Sequence, residues 1–200
     1  MQRGSTDRGQ AFTLEGVVAG LIILVSLLFA LQGVAVTPGA PGADVEPELR
    51  QQTVDLLDLA EETGALDEMV RYFNNESGSG FYNATDTTVG YGSTVPDTDF
   101  GQLVEAAFHE RGKVVNVILE YPREDDLGTA KTRLIYQGEP PSASTVATST
   151  VTLYSNQTLT APGGEETTLA EAVAVGEYPI PDIDPGGPLH NVVHIRVVVW

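Results

Sequence analysis

An α+β fold is predicted: an N-terminal transmembrane helix, then an extracellular domain with two or three helices packed on a mostly antiparallel sheet of about four strands. Three observations carry this prediction. Gly16 to Val36 is a run of 21 residues without a charge. Between residues 46 and 111 apolar side chains recur three and four positions apart, the period of a helix packed on one face. From Lys113 onward they alternate by two, with β-branched residues prominent, the period of a half-buried strand.

Taken in order, residues 1–9 form a short basic leader and residues 10–36 the membrane helix. Its uncharged stretch, at about 1.5 Å per residue, spans a hydrocarbon core of roughly 30 Å. Arg3 and Arg8 precede the helix, whereas Asp44, Glu46 and Glu48 follow it. Positive-inside asymmetry therefore places the N-terminus in the cytoplasm and the remainder outside the cell, as a single-pass protein of the cell membrane in contact with the lipid bilayer. A cleaved secretory signal fits less well, because the apolar run exceeds the usual 7–15 residues and no small-x-small site follows it. Residues 37–45, with Pro38, Gly39, Pro41 and Gly42, end the helix in a hinge. Residues 46–200 form the acidic domain.

The domain opens with a helix over Glu46–Thr63, with Pro47 in its first turn and Leu49, Thr53, Leu56, Leu57 and Ala60 on one face. Gly64 interrupts it, and Leu66, Met69, Val70 and Phe73 continue the helical period. Residues 74–98 read as a long polar loop in which Phe81, Tyr82 and Tyr91 either pack down or present a contact surface. Asp99 and Gln102 form the expected capping box of the next helix, which Arg111 and Gly112 close. Strands are expected over Lys113–Tyr121, Thr129–Gln137, Ser144–Ser155 and Asn191–Trp200, with a short helix over Leu169–Val175 and loop from Tyr178 to Pro188.

Charge narrows the function. The chain carries a net charge of -18, and residues 37–200 hold 26 acidic against 8 basic side chains. Such a surface repels nucleic acid at ordinary salt, so no nucleic-acid partner is expected. It stays hydrated in molar salt, where screening shortens to about 3 Å, and so points to a halophilic archaeon. Calcium binding by scattered carboxylates is the rival reading of the same acidity. The chain has no Cys, so neither a disulfide nor a lipobox is available.

Motifs for chemistry are sparse. His190 and His194 have the spacing of a helical zinc pair, but the β-branched residues around them predict a strand, in which four residues span about 13 Å. Both are therefore expected on a solvated face with Arg196. His109 falls at a predicted helix end, where a cation is stabilised. Asp182 and Asp184 resemble the start of a calcium loop that lacks its distal Glu. There is no P-loop, dinucleotide fingerprint, Gly-x-Ser-x-Gly or Cys nucleophile, and the expectation is a non-enzyme without catalytic residues, metal or cofactor. Asn75, Asn83 and Asn156 each begin an Asn-x-Ser/Thr acceptor on the outer side, which predicts a glycoprotein.

The segment Arg8-Gly9-Gln10-Ala11-Phe12-Thr13-Leu14-Glu15, directly before the apolar run, resembles the class III signal of archaeal type IV pilins. The resemblance covers residues 8–36. It implies cleavage by a prepilin peptidase at Gly9 or Gln10, retention of the apolar helix, and a subunit of a type IV pilus-like surface structure. Its partners would be other pilin-like subunits and the pilus assembly machinery. Glu15 would set register between subunits by pairing with a neighbour's new α-amino group. A cut after Gly9 makes Gln10 the first residue and Glu15 the sixth; a cut after Gln10 makes Glu15 the fifth. An unprocessed single-pass anchor carrying a surface domain for some other partner is the alternative.

Overall fold

The computed structural model describes residues 45–74, 80–86, 88–123, 128–176 and 178–200. The leader, the expected membrane helix and residues 37–44 of the hinge lie outside them, and among the described residues no helix is long and apolar enough to cross a membrane. Residues Val45–Trp200 form one compact unit.

Helix α1 (Val45–Glu62) buries Leu49, Leu56, Leu57 and Ala60 along its expected face. Thr53 is buried among them without an orphaned hydroxyl, since Oγ1 donates to the Leu49 carbonyl at 2.7 Å. Gly64, at φ 78°, allows the chain to turn directly into α2 (Ala65–Val70), whose Leu66, Met69 and Val70 enter the same core.

Helix α3 (Asp99–Ala107) begins one residue earlier in its capping than expected. Its N-cap is Thr98, in extended conformation, whose side chain accepts from the Gly101 N–H at 3.2 Å. Asp99 is instead the first helical residue, where the positive end of the helix dipole stabilises its charge. The expected Asp99/Gln102 capping box is therefore corrected. Two adjacent residues could both cap, and the chain uses Thr98. After α3 a 3-10 turn (His109–Arg111) ends at Gly112 with φ 68°.

Strands β1 (Val115–Pro122), β2 (Thr129–Ile135), β3 (Thr145–Tyr154) and β4 (Leu189–Val199) form one four-stranded antiparallel sheet in the order β2-β1-β4-β3. Short helix α4 (Leu169–Ala174) precedes β4 and opens on a complete capping box between Thr168 and Glu171. Val115, Val117, Leu119 and Tyr121 on β1, and Val193, Ile195, Val197 and Val199 on β4, turn the same way and are buried against the helices. The resulting architecture is α+β, with α1 lying over β3.

The polar loop packs down more than its composition suggests. Phe81 and Tyr91 are buried, Phe81 meeting Phe73 edge-on at 6.4 Å and Tyr82 meeting Tyr72 at 5.6 Å. The Tyr178–Pro188 segment contributes Tyr178, whose hydroxyl donates to the Val70 carbonyl at 2.9 Å, and the fully buried Ile180.

His190 corrects a second expectation. It is fully buried, not solvated. The register between β3 and β4 slips at Leu153/Tyr154, so His190 is an extra residue on β4 and the period of two counted back from Val193 fails there. Its ring lies 5.8 Å from that of Tyr178, and Nε2 donates to the Ile180 carbonyl at 3.0 Å. Burial of the ring holds the His190 pKa below its ordinary value. The same burial pushes the Tyr178 hydroxyl well up.

Candidate functional site

The clearest concave feature lies along β2. Side chains of β2 alternate between two sides of the sheet: Thr132, opposite Leu119, turns toward the helices, while Lys131 and Arg133, opposite Glu120 and Ile118, turn to the other face. The turn at 86–90 docks on this strand through an isolated bridge between Gly90 and Ile135 and a hydrogen bond from the Tyr91 N–H to the Leu134 carbonyl at 2.8 Å. Within the turn, Asp86 Oδ1 accepts from the backbone N–H groups of Thr88 and Val89, at 2.6 and 2.9 Å. Those bonds hold the Asp86 carboxyl below the usual carboxylate range.

A groove of about 1030 Å³ follows β2 and is lined on both of its sides. Phe81, Thr132 and Tyr178 line the side toward the core, and Arg133, Tyr136 and Arg196 line the other. The Arg133 guanidinium stacks 3.9 Å from the centre of the Tyr136 ring, and its Nη1 donates to the Thr88 carbonyl at 3.2 Å. Tyr136 donates to Glu139 at 3.1 Å. Lys131 pairs with Glu120 at 2.8 Å, and Arg196 approaches the same carboxylate at 3.9 Å. Among the described residues Arg133 has no carboxylate partner. The groove thus carries both signs: Lys131, Arg133 and Arg196 are set beside Asp86 and Glu139 of the lining and the adjoining Glu120.

The histidines do not converge. His194 is exposed on β4, with Nδ1 3.0 Å from the Thr150 hydroxyl, and no carboxylate orients it among the described residues. His109 bridges two elements: Nδ1 lies 2.9 Å from Glu105, and Nε2 lies 2.9 Å from the Gln137 side-chain nitrogen. Because Gln137 Oε1 accepts from the Val115 N–H, its amide nitrogen donates to His109 Nε2, and the proton of the neutral ring sits on Nδ1 facing Glu105. His109 thus ties the end of α3 to the end of β2.

Asp182 does not converge with a second ligand either. Its Oδ1 accepts from the Asp184 N–H at 2.9 Å in a local turn, and among the described residues no group of three or more His, Asp or Glu could hold a metal ion. Asn83 is exposed in a turn at φ 56°, and Asn156 is exposed in the turn after β3. Gly9, Gln10, Glu15 and Asn75 lie outside the described residues.

Sequence reasoning missed the groove entirely. Arg133 and Tyr136 are three residues apart at a strand end, but Arg196 reaches the same face only because β1 lies between β2 and β4. The one available signal was that three of the eight basic residues of 37–200 alternate on two predicted strands.

No curated protein and no solved structure matches the chain. A family model does match, over residues 8–199, so that the apolar run and the acidic domain are recognised together as one unit: the chain belongs to the family of unknown function DUF7288.

Proposed function

We propose that this chain is a non-catalytic, membrane-anchored, pilin-like subunit of a type IV pilus-like surface structure. The observation that carries the reading is the segment from Arg8 to Glu15 set directly before an uncharged helix-length run. The leader is removed at Gly9 or Gln10, the apolar helix remains as the assembly element, and Glu15 sets register against a neighbour's amino terminus. The head projects outside the cell, its acidity keeping it hydrated in a halophilic archaeon. Asn83 and Asn156 are exposed, as glycosylation of an extracellular head requires.

N-terminal sequencing of the membrane-extracted protein tests this. A start at Gln10 or Ala11 is expected; an intact start at Met1 or Gln2 ends the pilin reading. Replacing Glu15 by Ala leaves membrane insertion intact and lowers recovery in sheared filaments, and unchanged recovery removes Glu15 from the register role.

A second reading, an unprocessed single-pass anchor whose surface domain binds a partner, is favoured by the Pro/Gly hinge after the apolar run and by the groove along β2. The same sequencing experiment distinguishes it.

A further inference from the structure

The two edges of the sheet are treated differently. At the β2 edge, Lys131 and Arg133 supply charge, and the turn at Gly90 covers the end near Ile135. Both devices discourage a stray strand from pairing there. At the β3 edge there is neither among the described residues. Its ten residues, TVATSTVTLY, contain no charge, no Pro and no Gly, in a chain with 38 formally charged side chains.

The hydrogen-bond phase shows which groups face outward. Val114 and Trp200 exchange both backbone bonds, at 3.0 and 3.1 Å, just beyond the β1–β4 ladder. Even-numbered residues of β4 therefore bond to β1, and odd-numbered ones bond to β3. Opposite them, Thr145, Ala147, Ser149, Val151 and Leu153 use their backbone groups inward, toward β4. Val146, Thr148, Thr150 and Thr152 turn theirs away from the sheet, and among the described residues nothing pairs with them. All four are exposed. The open row stops at Tyr154, whose N–H donates to Gln157 Oε1 at 2.7 Å.

We infer that this edge is a strand-addition interface for a second copy of the same chain, pairing β3 with β3 antiparallel about a two-fold axis at Ser149. That register is self-complementary. It sets Val146 opposite Thr152 and Thr148 opposite Thr150, so every outward group finds a partner and the central pairs are Thr with Thr. Two sheets become one continuous sheet of eight strands. An uncharged edge brings no repulsion of its own to a partner of like charge. Glu61 lies near the axis, accepting from Ser149 Oγ at 2.9 Å, and molar salt screens its approach to its symmetry mate.

The absence of Cys makes the test direct. Ser149 would form a non-hydrogen-bonded pair with its own copy, with Cα atoms about 4.5 Å apart, inside the disulfide range of about 4.4–6.8 Å. Full-length Ser149→Cys protein, in detergent and molar salt, is oxidised and run on a non-reducing gel. Disulfide-linked dimer is expected as the main product. The control Thr129→Cys, on the guarded edge, should give little. Adding Thr150→Pro removes an outward N–H without touching the β4 ladder and should lower the dimer at least about tenfold. Thr150→Lys, which asks less of the backbone, should lower it in the same direction. The inference is overturned if Ser149→Cys stays monomeric, with or without a foreign polypeptide bound. It is also overturned if Thr129→Cys links as well, or if neither change at Thr150 lowers the yield while the far-ultraviolet spectrum is preserved.

Discussion

Replacing Gly90 by Ala should destabilise the head far more than the same change at Gly112. Both glycines have positive φ, 61° and 68°, so each alanine carries a left-handed penalty of roughly 1–2 kcal/mol. At Gly112 nothing lies within 4 Å of the added methyl, and the penalty stands alone. At Gly90 the methyl would sit 2.1 Å from the Leu134 carbonyl oxygen and 2.5 Å from that of Arg133, both backbone atoms that no rotamer change can move. The turn must withdraw from β2, giving up the Tyr91 bond to Leu134 and the bridge to Ile135, at about 1 kcal/mol for each bond lost. The total is roughly 3–4 kcal/mol. For a domain of this size that lowers Tm by about 6–16 °C, against about 2–8 °C for Gly112→Ala. Thermal unfolding in molar salt reads the difference, and amide exchange at Tyr91 reports whether the turn has lifted. Equal losses at the two sites would refute the close approach of this turn to β2.

Two further outcomes follow from the core and from its buried imidazole. Phe100 on α3 has no exposed surface, so Phe100→Ala should cost about 3–5 kcal/mol in denaturant unfolding; a loss below about 1 kcal/mol would mean the helix is not packed as described. His190 binds a proton less readily folded than unfolded, because burial disfavours its cation. The unfolded chain therefore takes up more protons below pH 6.5, the contribution is fully present above that pH, and it is lost as pH falls toward the depressed folded value. Between pH 7.5 and 5.5 the wild type should lose Tm while His190→Phe changes less, and parallel profiles for the two proteins would contradict this assignment.

What was legible in the chain were its short-range rhythms. Leu49 to Ala60 announced the face of α1, and the alternation from Val193 to Val199 announced a strand buried on one side, because burial of a face imposes its period on the sequence. Strand order was not legible: nothing near β4 says that it inserts between β1 and β3, since that choice rests on contacts between residues far apart in the chain. His190 was misjudged because one bulged residue reverses the alternation, and a bulge leaves no composition signal at Leu153 or Tyr154. The N-cap was misplaced because Thr98 and Asp99 are both good caps. The capping box at Thr168 and Glu171 passed unnoticed, although its pattern stood in the sequence. The groove escaped because it is assembled from five separated segments, and the open edge because hydrogen-bond phase exists only once the sheet does.

The position of β4 also governs how the molecule comes to be folded. The segment that arrives latest among the described strands is the one both sheet halves need, so a nascent or partly exported chain can form the β1–β2 hairpin but cannot join it to β3. High contact order of this kind slows folding and leaves intermediates exposed. If the head is delivered across a membrane, it travels without a finished sheet and matures only when residues 189–199 have emerged. The uncharged β3 waits through that interval as a sticky strand, whose safekeeping then depends on how soon β4 reaches it.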